Sequence, residues 1–167
     1  INRSHRVEPR IQVHVRLASL LHDVGHVIFS HLGESALESQ FRDEFEAIRR
    51  EPFEGKPRYF DGVPIGEVLS FFIVTSLSFR QHLEEKVFSV YSSTQDGYRL
   101  SEVNLRLVGE MIIGKASNMD ERWSTHVVNG SFDADKLDYI MRDCHYTGIR
   151  AEVDTSRLVH SLAVVDG

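Results

Sequence analysis

The sequence predicts an all-α fold on three observations. Apolar residues recur at helical spacing through most of the chain, and no segment alternates apolar and polar side chains as a half-buried strand does. Three of the four prolines, with two glycines, gather in one stretch, 51–64, which separates two helical blocks.

The elements follow in order. Ile11, Val15, Ala18, Leu21 and Val24 share a helical face, and Pro9 stands where a first turn tolerates it, which predicts a helix over 10–24. Gly25, Val27, Ile28 and Phe29 weaken the helical preference, and a second helix begins around Ser30 to Glu34 and runs towards Arg50. The segment "EPFEGKPRYFDGVP" (51–64) has the composition of a mobile loop. Helices are then predicted at 65–79, 80–91, 101–114, 133–146 and 154–163, with turn chemistry in "SSTQDGYR" and "KASNMDER".

The 167 residues suit one domain, and 41% hydrophobic content suffices for one core. Opening on Ile1 and ending in "AVVDG", the sequence reads as a fragment or ordered portion of a longer chain. A net charge of −6 and a pI near 5.8 argue against a nucleic-acid platform, while leaving room for a local pocket that takes one small anion. A single cysteine, Cys144, excludes an intrachain disulfide framework and a multi-thiolate zinc site. The longest apolar run, "VLSFFIVTSLSF" (68–79), falls short of a membrane span, and no signal peptide is visible, so a cytoplasmic protein is expected.

Two segments carry chemistry. In "LASLLHDVGHVIFSHLGE" (17–34), His22, Asp23, His26 and His31 stand among apolar residues, where an imidazole or carboxylate costs several kcal/mol, roughly, unless it is paired or bound to metal. An adjacent His and Asp at a helix end can close on one ion, and such nitrogen and oxygen donors suit Mn, Fe, Zn or, less well, Mg. In "GSFDADKLDYIMRDCHYTGI" (130–149), Leu137, Ile140, Met141 and Cys144 form an apolar stripe, while Asp135, Tyr139, Arg142 and Asp143 lie on another side. Ser131 or Asp133 can cap this helix, and Gly148 can end it. The bland alternatives are histidines satisfied by backbone and carboxylates, a capping Asp135, a solvated Lys136 and a packing Tyr139.

"HDVGHVIFSH" followed far downstream by "DADKLDYIMRDCHYTG" resembles the HD-domain phosphohydrolases, and within them the deoxynucleoside triphosphate triphosphohydrolase branch. The resemblance covers residues 8–35 and 128–165 clearly and the middle loosely. It implies an HD helical bundle, a divalent metal held by His22, Asp23 and Asp135, and proton handling by His26 with Glu34, where the family usually has aspartate. It implies phosphate contacts from His31 and Lys136, and sugar-side contacts from Tyr139 and Asp143. The expected products are a deoxynucleoside and triphosphate. Relatives often form oligomers, so a homo-oligomer is a further expectation.

The sequence also departs from that pattern. The family's first metal histidine stands well before the HD pair, and only His5 lies outside the HD helix here; His14, about 12 Å along a helix from His22, is too far to share its ion. Where many relatives place a histidine before a glutamate, this chain has Gly66 before Glu67. These departures keep two alternatives open: an HD phosphatase or phosphodiesterase for another nucleotide, and a regulatory nucleotide-binding module with weak or no catalysis.

The remaining histidines, His82, His126, His145 and His160, read as structural or surface groups, and Cys144 as inert core. The apolar stripe Val68, Leu69, Phe72 and Ile73 reads as buried, and "ESQFRDEFEAIRRE" as a solvated face with weak ion pairs.

Overall fold

The computed structural model describes residues 7–95, 97–115, 118, 122–149 and 154–162. His5 lies outside the described residues. The fold is all-α: among the described residues the helices are α1 (Pro9–Leu21), α2 (Ser30–Gln40), α3 (Arg42–Arg50), α4 (Ile65–Thr75), α5 (Leu77–Leu83), α6 (Leu105–Ile112), α7 (Arg122–Val128), α8 (Ala134–Thr147) and α9 (Thr155–Ser161). A π turn, Glu84–Phe88, and a 3-10 turn, Leu100–Glu102, fill part of the path from α5 to α6. No helix among the described residues is long and apolar enough to cross a membrane.

Helix α6 is the hub, packed by α1, α4 and α7. One apolar cluster joins Ala18 of α1, Val74 of α4, Val108, Met111 and Ile112 of α6 and Val128 of α7. A second joins Val68 and Phe71 of α4 and Ile113 to Tyr59, Phe60 and Val63 from the 51–64 segment. That segment runs through turns with most of its residues exposed, and Tyr59, Phe60 and Val63 anchor it in the core. The Arg106 guanidinium lies 4.8, 4.9 and 5.3 Å from the ring centres of Phe53, Phe71 and Tyr59, and its Nε donates to Glu110 Oε1 at 3.0 Å. The Tyr59 hydroxyl donates to the same carboxylate at 3.1 Å; burial, then the charge of Glu110, pushes its pKa up to about 12.

Side-chain caps set several boundaries that periodicity leaves open. Asn104 Oδ1 accepts the amides of Arg106 and Leu107, so α6 starts at Leu105 and not at 101. Ser76 is extended and accepts the Phe79 amide, dividing the predicted 65–79 helix into α4 and the start of α5. The predicted 80–91 helix is split between α5 and the π turn. A break at Phe41 divides the predicted second helix into α2 and α3. Helix α7 was not expected from the sequence. The acidic stretch is solvated: α3 buries no residue, and Arg49 and Arg50 pair with Glu38 and Glu46.

Three packing expectations change. The buried face of α4 is Ile65, Val68, Phe71 and Val74; Phe72 and Ile73 are each 38% exposed. The apolar stripe of α8 is only half-buried, Cys144 included, and no residue of α8 is fully buried. His14, in contrast, is 1% exposed, with Nδ1 at 2.6 Å from the Arg10 carbonyl and Nε2 accepting the Asn104 amide at 2.9 Å. A carbonyl only accepts and an amide only donates, so His14 is a neutral, Nδ1-protonated ring with both nitrogens engaged. It joins α1 to the cap of α6 and has no lone pair to offer a metal.

Candidate active site

Helix α1 ends at Leu21, and the chain turns through His22 to His26, with the Val24 amide bonded to the Leu21 carbonyl and the His26 amide to the Asp23 carbonyl. Ser70, fully buried on α4, holds this turn: its hydroxyl donates to the His22 carbonyl at 2.6 Å and accepts the Gly25 amide at 2.9 Å. Glycine is needed at 25 because a Cβ there would stand 2.6 Å from the Gly66 carbonyl oxygen and 2.7 Å from the Leu69 carbonyl carbon. The approach is backbone to backbone, with no side chain to yield.

His22 Nδ1 lies 2.8 Å from the Ser19 carbonyl, to which it can only donate, so Nε2 carries the lone pair. Nε2 in turn faces Asp23 Oδ1 at 3.1 Å and Asp135 Oδ2 at 4.0 Å. A lone pair converging with two carboxylates suits a bound cation. The donor set, one imidazole oriented by a backbone carbonyl and two half-exposed carboxylates, fits a borderline-to-hard divalent metal.

His26 sits between two acids. Its Nε2 is 3.0 Å from Asp23 Oδ1, and its Nδ1 is paired with Oε1 of the buried Glu34. The other Glu34 oxygen lies 3.3 Å from Nδ1 of the exposed His31. A polar chain thus runs from Asp23 through His26 and Glu34 to His31. Among the described residues, the donors that all come within 4.8 Å of one another are those of His26, His31 and Glu34, a set adjoining the wider group of His22, Asp23 and Asp135.

Helix α8 enters from the opposite side. Asp133 caps it, its Oδ1 accepting the Lys136 amide at 2.9 Å, and Gly148 ends it at φ 70°. The cap places Asp135 and Lys136 in the first turn. The Lys136 ammonium pairs with Asp133 Oδ2 and donates to the Gly130 carbonyl at 3.0 Å; the hydrogen bond to Asp133 raises its pKa.

These elements enclose a cavity of about 500 Å³, reached by His22, Asp23, His26, His31, Asp135, Lys136 and Tyr139. Glu34 stands behind the two histidines, off the cavity wall. Asp143 is exposed one turn beyond Tyr139 and does not reach the cavity.

The sequence reading did not single out Glu67 and Asn129 on the same wall. Asn129 Nδ2 donates to Glu67 Oε2 at 2.8 Å and to the Ile112 carbonyl at 2.6 Å. Burial raises the pKa of Glu67 against the lowering effect of that amide and of His26 and His22. Glu67 stands at the glutamate of the His-Glu pair that the resemblance aligns with Gly66 and Glu67, but its burial and its bond to Asn129 are visible only in the fold.

Compared with known proteins, the chain is 25% identical over 166 residues to the deoxynucleoside triphosphate triphosphohydrolase SAMHD1 homolog of Dictyostelium discoideum. The similarity takes in 96% of this chain and 26% of that protein, so the chain spans about a quarter of its relative's length. No family model and no solved structure matches the chain.

Proposed function

We infer that the chain is the HD domain of a metal-dependent phosphohydrolase whose substrate is a deoxynucleoside triphosphate, cleaved to a deoxynucleoside and triphosphate. The observation that carries this reading is the convergence of His22 Nε2, Asp23 and Asp135 beside the His26–Glu34 pair in one cavity of about 500 Å³. The distant relative is named for the same activity.

His22, Asp23 and Asp135 would hold a divalent cation, of which Mn, Fe, Zn and Mg are candidates; bound there, it supplies positive charge to phosphate oxygens and to the attacking water. In the proposed step a water oxygen joins the α-phosphorus, the bond from that phosphorus to O5′ breaks, and O5′ gains a proton to replace the one the water releases. His26, between Asp23 and Glu34, is placed to hold and pass that proton. His31 and Lys136 offer positive charge to the phosphates, and Tyr139 offers a contact to the sugar, whereas Asp143, exposed one turn further along α8, lies off the cavity and is given no contact there. Lys136 must share its ammonium with Asp133 and Gly130 while doing so.

That engagement of Lys136 favours a second reading, a nucleotide-binding module without turnover. One experiment separates the two: element-resolved metal analysis and a dNTP hydrolysis assay on wild type, Asp23→Ala and Asp135→Ala. Near-stoichiometric metal and triphosphate release, both lost in the variants, support the enzyme. Thermal stabilisation by dNTP with no product supports the binding module, and an absence of metal in wild type sinks the ligand assignment.

A further inference from the structure

We propose that Gly66 is a positioning residue of the active site: its missing side chain is the space in which the Glu34 carboxylate meets His26. The consequence for turnover rests on the phosphohydrolase reading above; the geometry does not.

Gly66 is buried in the first turn of α4 and is not among the residues with positive φ, so the backbone there does not require glycine. Glycine inside a helix is unfavourable relative to alanine. What occupies the vacant volume is the catalytic pair itself. A Cβ at 66 would lie 2.9 Å from both Cε1 and Nδ1 of His26, and closer still to Glu34 Oε1.

The colliding atoms distinguish this position from Gly25. At 25 the obstruction is backbone, so a methyl group must disturb the fold; at 66 it is the ends of two side chains, so a methyl group displaces the pair and leaves α4 in place. Glu34 has few routes of retreat: it is 6% exposed, and its second oxygen is engaged by His31. Residues 34 and 66 therefore trade volume. A longer acid at 34 needs no side chain at 66, and an acid shorter by one methylene makes room for one.

The test is a double-mutant cycle of Gly66→Ala and Glu34→Asp, read by dNTP hydrolysis, by melting temperature and by the imidazole nitrogen NMR signals of His26, assigned with His26→Gln. Gly66→Ala is expected to keep the wild-type melting temperature within a few degrees and its metal content, to lower kcat at least tenfold with KM little changed, and to move the His26 signals. Adding Glu34→Asp is expected to recover at least threefold in kcat and to return the His26 signals towards wild type, although Glu34→Asp alone lowers kcat. Multiplicative losses in the double variant, or His26 signals unmoved by Gly66→Ala, would overturn the proposal. If wild type hydrolyses no dNTP while the His26 signals still move and return, the functional reading falls and the positioning role of Gly66 stands. Should Gly66→Ala fail to fold while the double variant folds, the volume exchange is supported; failure of both overturns it.

Discussion

The Gly25 amide and the Ser70 hydroxyl meet at 2.9 Å, and through this bond the His22–His26 turn is locked onto α4. Because the same hydroxyl donates to the His22 carbonyl, one side chain spans both ends of the turn that presents His22 and Asp23. Ser70→Ala leaves a buried amide and a partly buried carbonyl without this partner, and is expected to cost about 1–3 kcal/mol in urea unfolding. Manganese affinity should fall by roughly tenfold, because the carbonyl-side support of a ligand is lost. Unchanged stability and unchanged affinity would show that the turn holds its shape without Ser70.

His14 should behave as a structural group alone. His14→Ala removes a buried ring and two hydrogen bonds to backbone, for an expected loss of about 2–4 kcal/mol. Metal content, measured on the folded variant below its unfolding transition, should equal that of wild type. Loss of metal without loss of stability would reverse the assignment.

Glu67 couples stability to pH. Burial raises its folded pKa above the ordinary value of 4.5, so above that pH the unfolded chain releases the proton before the folded one does. Unfolding then releases a proton, and the stability that protonated Glu67 contributes is full below 4.5 and is lost as pH rises through the folded pKa. In chelator-treated protein, Glu67→Gln should therefore gain melting temperature over wild type as the pH is taken from 4.5 to 7. A constant difference across that range would count against the coupling.

Asp133 has two tasks at the start of α8, accepting the Lys136 amide and pairing with the Lys136 ammonium. Asp133→Ala should cost about 1–2 kcal/mol through the lost cap. Asp133→Asn keeps the cap and releases much of the ammonium's charge, so it should bind inorganic triphosphate more tightly than wild type in calorimetry. Equal affinity would mean that Lys136 does not face the phosphates.

Much of the helical order was legible because it rests on local properties. Pro9 at a first turn, Asp133 at a cap and Gly148 at a left-handed end can each be read within a few residues. The cavity placement of His22, Asp23, His26 and Asp135 follows a motif whose halves lie more than a hundred residues apart. What stayed hidden depends on backbone angles or on packing that periodicity does not carry. Ser76 reads as one more residue of an apolar run until its own φ and ψ show it capping α5. Leu137, Ile140, Met141 and Cys144 make a convincing stripe, but a stripe says nothing about what packs on it, and here they are half-exposed. Burial raises the pKa of Glu67 against the lowering effect of Asn129, 62 residues on, and neither the burial nor that partner can be read from the residues around it.

The 51–64 segment, with Tyr59, Phe60 and Val63 inside the apolar cluster and Arg106 stacked on its rings, gives the chain an unusual vulnerability. Connections of such composition are ordinarily where a protease nicks a domain harmlessly or where an insertion is accepted. Here the connection is a keystone: its aromatic residues reach α6 across about fifty positions of chain. A cut between Phe53 and Phe60 should loosen the packing of Tyr59 and Phe60 on α4 and α6, whereas an insertion is accepted only at the exposed tip, 54–58, away from those anchors.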